Sequence, residues 1–183
     1  MSMAPLAVTA APAPAWLAVL LRAHDRLTGL GVHLAMVGLA VVVGAYVLEV
    51  VLRYGFNSPT RWSADLVSYL LLFITFMAMP QVTASGGHVA VTALLERMSP
   101  SRQRAAARVI AAGGVIVCLL LTWISLQETM RQVSGNVQMM SANPIPKAWV
   151  SIWIVYGLGS SALHFLRTAI WPPASPIGAG ANV

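Results

Sequence analysis

Glu49 and Arg53 stand four residues apart near the end of a long apolar run, in a chain of 183 residues with only 11 Lys and Arg and 5 Asp and Glu. Glu before Arg at this spacing is the favourable order for a helical ion pair. Close to hydrocarbon, an unpaired charge is costly. Two readings follow: a self-neutralising pair at a helix end, or a polar contact that reaches another subunit. Arg61, Trp62 and Asp65 open the next apolar run. Asp65 falls in its first turn, where a carboxylate suits the positive end of the helix dipole, and Arg61 lies one turn before it. Glu49, Arg53, Arg61 and Asp65 together put four charges at one membrane depth. A hairpin alone needs fewer, which hints at a protein contact.

Gly86-Gly87-His88 follows the second apolar run. The glycines allow a sharp exit from a helix, and His88 can bond backbone carbonyls there or meet a partner. His33 and His164 lie in the first and last apolar runs. Two histidines on adjacent helices can hold a haem, so a haem-binding membrane anchor of a respiratory complex is the alternative reading; packed or interfacial histidines are the plainer one. No phosphate-binding glycine loop, HExxH or Cys/His metal spacing is present, and no Ser/His/Asp set can be argued. The expectation is a protein without catalytic, cofactor or metal residues. Ala40-x-x-x-Gly44 and Gly157-x-x-x-Ser161 have the small-residue spacing that lets helices approach closely.

The elements that carry these residues follow from composition. The chain is 58% hydrophobic and 9% charged, with mean hydropathy +0.76, whereas soluble domains carry roughly 25% charged residues. A soluble enzyme and a disordered chain are excluded, and an all-α integral membrane protein is expected. Four apolar runs, about 30–52, 64–84, 109–126 and 148–170, each match the roughly 20 residues that cross a bilayer. Strand-period alternation is missing, which argues against a barrel. No internal repeat or broken-helix pair suggests a midplane transport site. Residues 1–15, rich in Ala and Pro, and 172–183 are expected to be flexible tails around a membrane domain at 16–171. Residues 16–28 read as an interfacial amphipathic helix. The stretch 88–108 reads as two short helical pieces, broken at Ser99-Pro100, with Val91, Leu94, Leu95 and Met98 on one face. Glu128 to Lys147 reads as a polar outer loop. Cys118 sits alone in an apolar run and forms no internal disulfide.

The net charge of +6 lies between apolar runs and carries no nucleic-acid signature. With four spans, Arg22, Arg26, Arg97, Arg102, Arg104, Arg108 and Arg167 fall on one side, and Arg53, Arg61, Arg131 and Lys147 on the other. The excess places both termini in the cytoplasm. Trp62, Trp149 and Trp171 fall at run ends, as interfacial anchors do.

The stretch from Glu49 to Asp65 resembles the first hairpin of the small membrane subunit of tripartite ATP-independent periplasmic (TRAP) transporters of the DctQ type. Arg53, Tyr54 and Phe56 match an Arg-Tyr-x-Phe exit from the first span. Trp62 and an acidic residue, here Asp65 where the family usually has Glu, open the second. Gly87, His88 and Val89 match a motif after the second span, and Pro146 with Trp149 matches the approach to the last. The resemblance covers about residues 25–170. It implies a bacterial inner-membrane subunit that scaffolds a large permease subunit. Together they would take up an organic acid with an ion gradient, usually sodium, after a periplasmic substrate-binding protein delivers it. It also implies that Glu49, Arg53, Tyr54, Phe56, Arg61, Trp62, Asp65, Gly87 and His88 form subunit-contact or structural clusters, and that no cofactor is needed.

Overall fold

A computed structural model describes residues 15–85, 99–140 and 144–171. Gly86, Gly87, His88, the amphipathic stretch up to Met98 and both expected tails lie outside them, apart from Ala15. Four helices make up the described fold: α1 (Ala15–Gly55), α2 (Ser63–Ala84), α3 (Pro100–Ser134) and α4 (Lys147–Ile170). All four are long and apolar enough to cross a membrane, so the chain is an all-α, multi-pass membrane protein.

Two helices are longer than the spans expected from the sequence. α1 has 41 residues, about 60 Å at 1.5 Å per residue, against about 30 Å of hydrocarbon. The stretch 16–28 is the first part of α1, continuous with the first span. It contains no proline, and two of its polar residues bond back within the helix: Arg22 Nε donates to the Ala18 carbonyl at 3.1 Å and the Thr28 hydroxyl to the His24 carbonyl at 2.9 Å. α3 likewise runs unbroken from Pro100, so the basic piece expected after Ser99 merges with the third span. Extended backbone at Ser99 precedes Pro100 in the first turn, where a missing N–H costs nothing. At its other end α3 continues through Glu128 to Ser134, residues expected in a loop. It stops at a Schellman turn, in which Asn136 takes a positive φ of 44°, Val137 N–H donates to Gln132 O (3.0 Å) and Asn136 N–H to Val133 O (3.2 Å). The link to α4 folds back on itself, with Met139 N–H on Ile145 O and Lys147 N–H on Val137 O.

Packing runs α1 on α2, α2 on α4, and α4 on α3. α1 buries one narrow stripe, Thr28, Gly31, Ala35, Gly38, Val42, Ala45 and Glu49. Their alternating steps of three and four residues make the 3.5-residue period of a coiled-coil seam, built mainly of small residues that let backbones close in. Val42 and Ala45 meet Val67 of α2, with Leu66, Leu70 and Ile74 around them. Ala40 and Gly44 lie off this stripe: both are exposed, and a side chain at Gly44 would meet nothing within 4 Å. That small-residue pair makes no packing contact here. Gly157 and Ser161 are buried as expected.

Gly157 has a specific reason. Pro80 inside α2 has no N–H for the carbonyl four residues earlier, at Phe76. Gly157 of α4 rests on that carbonyl so closely that a β-carbon there would lie 2.5 Å from the Phe76 oxygen. The proline frees a backbone oxygen, and the glycine lets the neighbouring helix cover it.

Candidate functional site

Three polar joints tie the helices to one another near their ends. The first is the one expected around Glu49. The seam of α1 ends on this residue, so its carboxylate points inward and is 7% exposed. A buried carboxylate needs donors, and the start of the next helix supplies them. Arg53 donates through Nη2 at 2.6 Å and Nε at 3.0 Å to one oxygen. The other oxygen accepts from Thr60 N–H at 3.1 Å, from the Thr60 hydroxyl, and from Ser63 Oγ at 3.1 Å. Glu49 thus fastens the 56–62 connection and the first turn of α2 to the end of α1. Trp62, at the N-cap position, makes no side-chain capping bond.

The structure divides the rest of the expected cluster. Arg61 and Trp62 are exposed, and Asp65 is half-buried in the first turn of α2. Trp62, Asp65, Leu66 and Tyr69 line an open groove completed by Ile145 from the α3–α4 link. Tyr54 and Phe56 project outward, 82% and 72% exposed. Thr60 and Ser63 belong to the joint although sequence reading did not select them. The signal was available: counting the three–four steps of α1 puts Glu49 on the inner face, and these hydroxyls are near in sequence.

The second joint, at the same end, links α3 to α4. Ser151 Oγ donates to Gln132 Oε1 at 2.8 Å, Gln132 Nε2 donates to Glu128 Oε1 at 3.1 Å, and Arg131 pairs with Glu128 at 2.8 Å. Gln132 and Thr129 are buried. Glu128, Thr129, Arg131 and Gln132 lie in the stretch that the sequence reads as a polar loop, whereas Ser151 lies in the fourth apolar run.

The third joint, at the opposite end, links α1 to α4. His24 Nε2 lies 2.7 Å from Ser160 Oγ, Thr28 Oγ1 lies 3.2 Å from His164 Nε2, and the two imidazole rings meet at a 42° tilt with centroids 4.5 Å apart. Outside them, Arg167 Nη1 meets both Asp25 oxygens, at 3.0 and 2.9 Å. His33 takes no part: it is exposed, and its Nδ1 bonds the Gly29 carbonyl at 2.8 Å. His33 and His164 therefore face different surroundings and do not frame a haem between them. The register of α1 explains this, because 28, 31 and 35 face inward and 33 does not.

The described helices and their joints define a multi-pass membrane protein whose polar residues lock helix ends. Its flanking helices present broad apolar faces, with Leu34, Val37 and Val41 of α1 and Ile116, Leu120 and Trp123 of α3 exposed. Residues 42–171 match the family model described as "Tripartite ATP-independent periplasmic transporters, DctQ component", and the chain belongs to that family. It is also 30% identical over 128 residues, 66% of this chain and 80% of the relative, to a Haemophilus influenzae protein named "Putative TRAP transporter small permease protein". No solved structure matches.

Proposed function

We propose that the chain is the small permease subunit of a TRAP uptake system in a bacterial inner membrane, with both termini in the cytoplasm. In this reading it packs beside a large permease subunit that carries the transport site. That subunit takes up an organic acid, delivered by a periplasmic binding protein, with an ion gradient, for which sodium is the first ion to test. The observation that carries the reading is the family match over residues 42–171, which spans the Glu49 joint and all of α2, α3 and α4. The physical features support a scaffold. Polar side chains are used to fix helices, and α1 and α3 keep wide apolar faces for lipid and a partner. The arginine distribution supports the orientation, since Arg22, Arg26, Arg102 and Arg108 ride on the starts of α1 and α3, at one end of the bundle.

In this role the Glu49 joint sets the angle between α1 and α2 and so shapes the surface offered to the large subunit. Tyr54, Phe56, Arg61, Trp62 and Asp65 beside it, and Gly87 and His88, which follow α2 in the sequence, are the proposed contact residues. Co-expression with the large subunit, followed by affinity purification in detergent, tests the reading. A stoichiometric complex is expected, weakened by Arg53→Glu, which sets a second carboxylate against Glu49. A chain that elutes alone overturns it.

A further inference from the structure

The joint between the start of α1 and the end of α4 holds more than packing requires. His24 and Asp25 from α1 and His164 from α4 each offer one ligand atom, and the three atoms lie within 4.8 Å of one another. We infer that His24, Asp25 and His164 form a binding site for a divalent transition-metal ion of the zinc class, which would clamp the two helices together. The inference is independent of the transporter reading, and its α1 half lies outside the residues that match the family model.

The donor set decides the class of ion. Two imidazoles and one carboxylate suit zinc and its neighbours, whereas magnesium and calcium take oxygen ligands. Zinc holds such ligands at about 2.0–2.2 Å, so the three atoms must draw together from their present separation. Asp25 and His24 have room to do so, because Asp25 is exposed and His24 is half-buried. Three protein ligands leave one position for water or an outside ligand.

Hydroxyl groups already order the imidazoles as supporting residues do around metal-bound histidines. Thr28 has one hydroxyl proton, and it goes to the His24 carbonyl at 2.9 Å. Toward His164 Nε2, 3.2 Å away, the Thr28 oxygen can then only accept. This fixes the proton of a neutral His164 on Nε2 and leaves a lone pair on Nδ1. Ser160 holds His24 through Nε2 at 2.7 Å. Arg167 occupies one direction at each Asp25 oxygen, and a carboxylate has about four such directions in all. Arg167 thus positions Asp25 and also opposes an arriving cation, so it should act as a restraint on affinity.

Zinc titration by calorimetry, with cobalt(II) as a visible-light probe, tests the site on the full chain in detergent, purified without a polyhistidine tag. One ion per chain is expected, with the absorption of four-coordinate cobalt. H24N and D25N should each weaken binding at least tenfold, and both are mild at partly exposed positions. R167Q should tighten binding at least threefold, an effect that a purely structural joint would not give. H33N should change nothing. Cobalt that keeps the spectrum of its aqua ion overturns the site, as does zinc affinity unchanged by H24N. Unchanged affinity in R167Q or D25N removes Asp25 and overturns the three-ligand site.

Discussion

The two ends of α1 are fastened in different ways. At Glu49 one buried carboxylate gathers every bond of the joint, from Arg53, Thr60 and Ser63. At the other end the work is divided among a hydroxyl–imidazole pair, a second such pair, a tilted ring contact and an outlying ion pair. A concentrated joint fails with one residue, because removing a shared acceptor strands several donors at once. A distributed joint loses one small contribution at a time. The Glu49 joint also closes a short connection within one hairpin, whereas the His24–His164 joint ties the first helix to the last.

Substitutions can break this comparison. Glu49→Ala should give the largest loss of thermal stability at either end, with faster proteolysis of the 56–62 connection. Glu49→Gln should lose less, because an amide oxygen still accepts from Thr60 and Ser63; equal losses would remove the shared acceptor from its central place. Gly157→Ala, between the two ends, should cost about 3 kcal/mol, the upper part of the range for overpacking, since the added carbon would meet a backbone oxygen at 2.5 Å. Chemical denaturation in mixed micelles reads this. Thr28→Val keeps the volume of a fully buried side chain but removes its hydrogen bonds, and should cost about 1 kcal/mol. The smallest effect belongs to Asp25 and Arg167, both close to half exposed. Their coupling in a double-mutant cycle should fall at about 0.2–1 kcal/mol and shrink in high salt. A larger value at this pair than at Thr28 would reverse the proposed order.

The same contrast explains what was legible in the sequence. Four apolar runs gave the spans because length and hydropathy are local properties. Glu49 and Arg53 were legible because helical spacing alone brings them together. The boundaries of α1 and α3 were not, since polar residues such as Arg22 and Glu128 read as interfacial or loop positions while the helices simply continue past the hydrocarbon. His24 and Ser160 are 136 residues apart, and no spacing rule connects them. His33 looked equivalent to His164 by hydropathy, yet the seam period of α1 turns it outward. That period, visible as steps of three and four from Thr28 to Glu49, would have separated the two.

The proposed role is tested most directly by uptake into proteoliposomes. These would hold the large permease subunit with and without this chain, under a sodium gradient and with the cognate binding protein supplying its organic acid. Uptake that needs both membrane subunits, and that falls with Glu49→Ala, is the expected result. Full gradient-driven uptake by the large subunit alone would contradict a scaffold required for transport.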